Sequence, residues 1–407
     1  MRYIRRDMES KISSLSEEYA CLLITGARQV GKTTVLKQLM DANRHYVTLD
    51  DLEARRLAQE DPAFFLQLYP PPVFIDEVQY APELFSYIKI AIDQGVAPGS
   101  FWLTGSQAFR LMTLSQESLA GRMAILHMPP LSQHEIWGSG DNSPFKLELP
   151  ALKEREANWA PADVDGMYRR IWQGGMPGFI SGRYSDRETF YSSYVQTYIQ
   201  RDIKDFISFN DPMVFADFVR AAACRVGQVL NLHAIAQDVG VSDDTARRWL
   251  QALEQSDVIF FLRPYANNLL KRSIKTPKLY FWDCGLVAYL TRYEDPASLS
   301  SGAVSGAILE NYAVCELMKS YRNAGRDCLL WYYRDRDSRE IDLVLETNGQ
   351  LHPMEIKRSV NPGAGLTSTF GLLDKAALPR GTGAVLCLRQ TLSAIDRQHY
   401  IVPIWMI

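Results

Sequence analysis

The stretch Cys21-Leu22-Leu23-Ile24-Thr25-Gly26-Ala27-Arg28-Gln29-Val30-Gly31-Lys32-Thr33-Thr34 constrains the fold more than any other. An apolar run of strand length ends at a glycine. A lysine and two threonines then open a helical pattern continued by Val35, Leu36, Leu39 and Met40. The spacing Gly-x4-Gly-Lys-Thr is that of a phosphate loop. Gly26 and Gly31 permit backbone conformations that let main-chain N–H groups curl around phosphate oxygens. The helix beyond adds free N–H donors and a partial positive charge at its start. On this reading residues Gly26, Ala27, Arg28, Gln29, Val30, Gly31, Lys32, Thr33 and Thr34 cradle a nucleotide. Lys32 reaches the β- and γ-phosphates, and the Thr33 hydroxyl ligates magnesium. ATP with Mg²⁺ is the expected cofactor.

The segment Val73-Phe74-Ile75-Asp76-Glu77 supplies the second nucleotide signal. Its three apolar residues fit a buried parallel strand that delivers Asp76 to its C-terminal end, where the carboxylate can hold magnesium. Glu77 is placed to orient and deprotonate an attacking water. A further strand, Phe101-Trp102-Leu103-Thr104, ends in Gly105-Ser106-Gln107, where Ser106 or Gln107 could sense the γ-phosphate or simply form a turn. Between these signals, Leu52 to Leu68 reads as helical and the prolines 70–72 close it.

The chain has 407 residues, room for two or three domains. With 47% hydrophobic and 22% charged residues it reads as a soluble globular protein. Its net charge of −3 gives no global basic signature, so any nucleic-acid contact must rest on local clusters. Six cysteines without a Cys-x-x-Cys pair point to reduced thiols. No apolar run nears the ~18 residues that cross a bilayer, and the first residues lack an apolar signal core. A cytoplasmic protein without membrane contact is expected.

Residues from about 138 to 165, rich in Gly, Ser, Pro and charge, read as a loop or linker. The stretch from Tyr184 to Phe209 reads as helical, with Tyr191, Tyr194 and Tyr198 in a core. Leu232, Ile235, Ala236 and Val239 then mark one short helix, Gly240 breaks it, and Ser242 caps another with Ala246, Trp249, Leu250 and Leu253 inside. Two such helices make a helix-turn-helix, and residues 258–262 and 278–282 would form a wing. Arg247, Arg248 and Gln251 on the outer face, with Lys271, Arg272, Lys275 and Lys278 in the wing, suggest contact with DNA phosphates. Asp243 and Asp244 oppose that reading, and a packing module between the flanking parts is the alternative.

Near the end, a helix opening at Ile308-Leu309-Glu310, the strand Glu340-Ile341-Asp342 and the segment Met354-Glu355-Ile356-Lys357 form a PD-(D/E)xK nuclease pattern, with an Asn348-Gly349 hairpin turn between the strands. Glu355 and Lys357, two apart on a strand, face one side. Asp342 and Glu355, completed by Glu310, could hold a second Mg²⁺ or Mn²⁺, and Lys357 could activate the water or steady developing charge. Against cleavage, Ile341 stands where the pattern has Pro, and 334–340 is a mixed-charge run. The last strand expected is 383–388.

The motifs Gly-Ala-Arg-Gln-Val-Gly-Lys-Thr, Ile-Asp-Glu-Val-Gln, Thr-Gly-Ser-Gln and Ser-Leu-Ala-Gly-Arg, followed by Pro130-Leu131-Ser132 with Glu135, Gly174-Gly175-Met176-Pro177 and residues 198–203, resemble those of prokaryotic AAA-type ATPases that carry a C-terminal domain of unknown function. The resemblance covers nearly the whole chain. It implies that Arg122, just before the fifth strand, acts in a neighbouring subunit's nucleotide site, and hence a homo-oligomer. The alternative is that Arg122 caps its own helix. It also implies a Holliday-junction-resolvase-type nuclease core at the C-terminus.

The expected fold is therefore α/β throughout: a P-loop parallel-sheet ATPase domain over 1–137, a linker and helical connector over 138–222, a winged helix over 223–298 and a nuclease-like α/β domain over 299–407. The expected function is ATP hydrolysis that gates DNA binding or metal-dependent DNA cleavage. The alternative is a nucleotide-dependent switch or scaffold that binds DNA or a protein partner through an inactive nuclease fold.

Overall fold

The structure, a computed structural model, describes residues 2–106, 119–137, 143–199, 212–267 and 276–407. Five parallel strands, β1 (Cys21–Thr25), β2 (His45–Thr48), β3 (Val73–Asp76), β4 (Phe101–Gly105) and β5 (Met123–His127), form the first sheet in the order β2-β3-β4-β1-β5. Alternate residues of β1 enter different cores. Cys21 and Leu23 pack with Phe65, Phe85 and Ile88, and Leu22 and Ile24 pack with Ile12, Val35 and Leu36. A sheet covered on both faces explains why β1, β3 and β4 read as unbroken apolar runs. All five strands run the same way, so Thr25, Asp76 and Gly105 end at one edge, where an open α/β sheet binds its ligand.

The helical stretch expected over 52–68 is two helices, Leu52–Glu60 and Pro62–Leu68. Pro62 cannot continue the first helix but suits the opening of the second. Asp61 accepts from the N–H of Phe64 and caps that second helix.

The segment expected as a linker differs more. Leu149–Asn158 is a helix, and Phe145, Leu147, Leu152 and Ala162 are buried. They join a core that runs on through Tyr168, Tyr191, Phe215, Trp249, Phe281 and Tyr312 to Ile407. Polar composition hid the inward apolar positions. Tyr191 and Tyr194 are in this core as expected, whereas the side chain of Tyr198 lies outside the described residues.

The middle holds helices Pro212–Ala223, Leu232–Val239 and Asp243–Gln255, followed by an antiparallel pair, β6 (Ile259–Leu262) and β7 (Lys278–Phe281). Gly240 (φ 70°) ends the second helix in the left-handed region, and Ser242 Oγ accepts from Thr245 N–H at 3.2 Å to cap the third. Ala246, Trp249, Leu250 and Leu253 are its buried face. Arg247, Arg248 and Gln251 are exposed, with Arg247 Nη1 2.8 Å from Asp244 Oδ1. Lys271, Arg272 and Lys275 lie outside the described residues.

The last sheet has six strands: β8 (Leu330–Arg334), β9 (Glu340–Thr347), β10 (Gln350–Lys357), β11 (Gly383–Cys387), β12 (Ser393–Ala394) and β13 (His399–Pro403). Their order is β12-β13-β11-β10-β9-β8. β8, β9 and β10 form an antiparallel meander, while β11 lies parallel to β10 and β13 to β11. The β9–β10 turn is the expected Asn348-Gly349, both residues at positive φ (50° and 71°), as a two-residue hairpin requires. The long helix Ser305–Asn323 packs on one face. All six cysteines are unpaired. Among the described residues no helix is long and apolar enough to cross a membrane.

Candidate nucleotide site and C-terminal carboxylate cluster

Gly26 (φ 141°) lies so close to Met128 that a Cβ would sit 2.3 Å from its carbonyl oxygen, so this turn admits no side chain. Gly31 (φ 100°) then precedes the helix Lys32–Leu39. Lys32 Nζ is folded back, donating to the carbonyls of Gly26 (2.8 Å) and Ala27 (2.9 Å). Burial lowers its pKa, opposed by the charges of Glu77 and Asp76. Thr33 Oγ1 donates to Asp76 Oδ1 (2.9 Å) and Oδ2 (3.1 Å). Asp76 also accepts from the Tyr46 hydroxyl at 3.2 Å and from Thr104 Oγ1. Burial raises the Asp76 pKa. The two partners expected to share magnesium are therefore in contact, and hydroxyl groups surround the carboxylate. A buried acid solvated only by neutral donors is a poor resting place for negative charge, and a divalent cation fits there.

Glu77 follows β3 in the left-handed region (φ 59°), unusual for a residue with a side chain and typical of functional sites. Its Oε2 accepts from Gln79 Nε2 (2.5 Å) and from Ser106 Oγ (3.4 Å). Gln79 Nε2 also reaches Ser106 Oγ at 3.3 Å. Ser106 thus sits beside the residue expected to handle water, while Gln107 lies outside the described residues. Gln79 and its tie to Glu77 did not emerge from sequence. Its only signal was its place in Ile-Asp-Glu-Val-Gln. A cleft of about 390 Å³ opens over Lys32, Thr33, Thr34 and Glu77, with Pro177, Arg183 and Tyr184 along its lining. Those last residues also went unread, because only the fold brings them across from far downstream.

Arg6 went unread too. Its buried guanidinium donates to the carbonyls of Val30 (2.7 Å) and Pro129 (2.8 Å) and to Glu135 Oε1 (2.7 Å). Glu135 Oε2 accepts from Ser132 N–H at 2.8 Å. Leu131 N–H donates to Gly175 O at 2.8 Å, and Lys319 Nζ donates to Leu131 O at 3.0 Å. A continuous polar chain therefore runs from the phosphate loop to the helix Ser305–Asn323. Gly175 is glycine by necessity, since a Cβ would lie 2.3 Å from Leu131 O.

Arg122 is partly exposed, with Nε 2.7 Å from Asp93 Oδ1. Its Nη1 lies 3.5 Å from Ala120 O. It does not line the cleft of its own chain.

On the C-terminal sheet, β9 and β10 place Asp342, Glu355 and Lys357 together. Lys357 Nζ is 2.7 Å from Glu355 Oε2 and 3.3 Å from Asp342 Oδ2, which also accepts from Ile356 N–H at 2.8 Å. Burial, then the neighbouring Asp342 charge, pushes Glu355 up to about 7. Glu310 takes its hydrogen bonds from other groups. Its Oε1 accepts from Lys278 Nζ (3.0 Å) and the Tyr280 hydroxyl (2.6 Å). Lys278 Nζ also lies 2.7 Å from Glu340 Oε1. Lys278, expected on a basic wing, is thus a buried inward lysine: the alternation of β7 turns it toward these acids. Among the described residues no group of three or more Asp, Glu, His or Cys side chains is set to hold a metal ion. The Glu310, Asp342 and Glu355 set does not fit a second metal in this arrangement.

Residues 18–137 match the family model of an AAA domain. The match supports an AAA-type P-loop domain in that part of the chain. Residues 164–297 and 305–407 match two models of domains of unknown function, DUF8612 and DUF4143. Proteins named "Uncharacterized protein Rv2008c" of Mycobacterium tuberculosis and "Uncharacterized protein Mb2031c" of Mycobacterium bovis are each 29% identical over 379 residues, covering 91% of this chain and 77% of theirs. A solved structure, protein VC1899 from Vibrio cholerae, aligns over 90% of this chain and 89% of its own at 10% identity. Its TM-score of 0.17 carries no argument about fold.

Proposed function

We propose that this chain is a magnesium-dependent ATPase whose nucleotide state gates DNA binding by its middle and C-terminal parts. The observation that carries the reading is the placement of Arg6, whose one guanidinium holds Val30 of the phosphate loop and Glu135, beside Leu131 and Gln133, which hydrogen-bond to the helix Ser305–Asn323. Lys32 and the loop N–H groups would bind the phosphates, and Thr33 with Asp76 would hold magnesium, which supplies charge neutralisation at the phosphates when bound. Glu77, oriented by Gln79 and Ser106, takes the proton of the attacking water. Any rearrangement of the loop on nucleotide binding bears on the Val30 carbonyl and through Arg6 on Glu135. Arg122, outside its own cleft and on the surface, serves the site of a neighbouring copy in a homo-oligomer. DNA binding is supported by the exposed Arg247, Arg248 and Gln251 face; a protein partner is the other occupant such a switch would take.

A second reading is ATP-gated, metal-dependent DNA cleavage. Its support is that Asp342, Glu355 and Lys357 lie within one hydrogen-bonded group. One experiment tests both readings. Linear, supercoiled, single-stranded and four-way-junction DNA are presented with ATP, ADP or no nucleotide in Mg²⁺ or Mn²⁺, and binding and strand scission are followed. The gating reading expects DNA affinity to depend on nucleotide, with that dependence lost in Lys32→Ala. Affinity indifferent to nucleotide sinks it. Scission that vanishes in Lys357→Ala would move the weight to cleavage.

A further inference from the structure

The nuclease-like pattern asks a helix carboxylate to join two strand carboxylates around one external cation. In this chain Glu310 is already beside a cation of the protein's own. Lys278 is 3% exposed, and its ammonium lies 3.0 Å from Glu310 Oε1 and 2.7 Å from Glu340 Oε1. Tyr280, two residues along the same strand and so on the same side, donates its hydroxyl to Glu310 as well. Strand β7 is fixed on one edge by pairing with β6, Lys278 opposite Leu262, and Lys278 also bridges Val229. The ammonium is therefore delivered to this spot by backbone that packing has locked, rather than by a mobile surface chain.

Charge explains why it stays. A carboxylate drawn out of water without a counter-charge is strongly disfavoured, and Glu310 and the half-buried Glu340 share this one lysine. Asp342 and Glu355 are held in the same way by Lys357. Four acids are thus divided between two lysines, and the pattern's three acids fall into separate groups. Burial by itself would lower the Lys278 pKa, but the charges of Glu310, Glu340 and Asp342 raise it, so the lysine remains an ammonium through the neutral range.

We infer that Lys278 is a tethered cation that stands between Glu310 and Glu340 in place of a divalent metal, and that these two carboxylates take up such an ion only when this ammonium is removed. The inference rests on reading the C-terminal part as a nuclease-like fold. It concerns occupancy alone, so it stands or falls separately from the gating of DNA by ATP.

The test is Mn²⁺ binding to the full chain without nucleotide, measured as the loss of free Mn²⁺ signal by electron paramagnetic resonance. Wild type and Glu310→Gln are expected to bind the same number of ions. Lys278→Met, which keeps the length of the side chain without its charge, is expected to gain one ion, and the Lys278→Met/Glu310→Gln double variant to lose it again. A wild-type site that disappears in Glu310→Gln overturns the inference, as does a folded Lys278→Met that gains nothing. Should circular dichroism show Lys278→Met unfolded, the wild-type and Glu310→Gln pair decides alone: equal stoichiometry supports the tethered cation and unequal stoichiometry refutes it. The measurement involves neither DNA nor ATP, so a failed DNA panel leaves it interpretable.

Discussion

At the phosphate loop, Lys32 rests on two backbone carbonyls and leaves Asp76 to threonine and tyrosine hydroxyls. On the C-terminal sheet, Lys278 and Lys357 close directly on carboxylates. Both regions bury acids and lysines within a few ångströms. In the first, the charges are kept apart and each is displaced from its usual range by burial, Lys32 downward and Asp76 upward. Triphosphate and magnesium would supply the missing partners. In the second, the acids and lysines already satisfy one another. The same residue types thus give a receptive site in one place and a compensated one in the other. Which arises depends on whether the fold lets the lysine reach the acid.

The largest effect expected falls on the receptive site. Lys32→Ala and Glu77→Gln should each reduce ATP turnover by about 10²-fold or more, read by phosphate release. Glu77→Gln should still bind nucleotide, whereas Lys32→Ala should not. Unchanged turnover in both would remove the assignment. Next comes the tie between the regions. Arg6→Ala leaves Glu135 buried and unpaired, and urea unfolding should show a loss of about 3–5 kcal/mol. A change below about 1 kcal/mol would mean that the staple is not under load.

A smaller effect sharpens the view of the compensated site. Glu355 has a folded pKa of about 7 against an ordinary value of 4.5. The folded state therefore holds its proton more tightly than the unfolded one. The associated stability is fully present below about pH 4.5 and is lost as pH rises to about 7. Urea unfolding between pH 5 and 8 should fall less steeply in Glu355→Gln than in wild type, and parallel curves would mean that Lys357 compensates the acid completely. The smallest stability change belongs to Arg122→Ala. Its ion pair with Asp93 is solvent-exposed, so unfolding free energy should move by no more than about 1 kcal/mol. Turnover should fall all the same, and recover when the variant is mixed with Glu77→Gln subunits that retain Arg122. Turnover equal to wild type in the variant alone would exclude the role between subunits.

What could be read in advance was local. Strand, turn and helix of the phosphate loop lie within fourteen consecutive residues, and the Asn348-Gly349 turn needs only two residues able to take positive φ. Both were legible because the physics that fixes them acts along the chain. Asp342, Glu355 and Lys357 came together because a tight hairpin aligns neighbouring strands. Glu310 departed from expectation because its partner, Lys278, sits on a strand whose inward face is set by packing rather than by its own composition. Arg6 meets Glu135 across 129 positions, and no period or spacing announces such a contact. The stretch 138–165 misled in another way. Its prolines, glycines and charges describe its surface, while Phe145, Leu147 and Leu152 belong to a core assembled from residues far downstream.

That shared core bears on how the molecule melts. Most buried side chains from Phe145 to Ile407 form one cluster, with a smaller one around Tyr265, Ile341, Leu351 and Phe370, while the five-stranded sheet keeps two of its own. A calorimetric scan should therefore resolve at most two cooperative units rather than one for each matched segment. Expressed alone, a fragment ending near residue 298 would bare the surface on which the helix Ser305–Asn323 rests. Such a piece would meet proteases and chaperones as an incompletely folded chain, even where its sequence boundaries look clean.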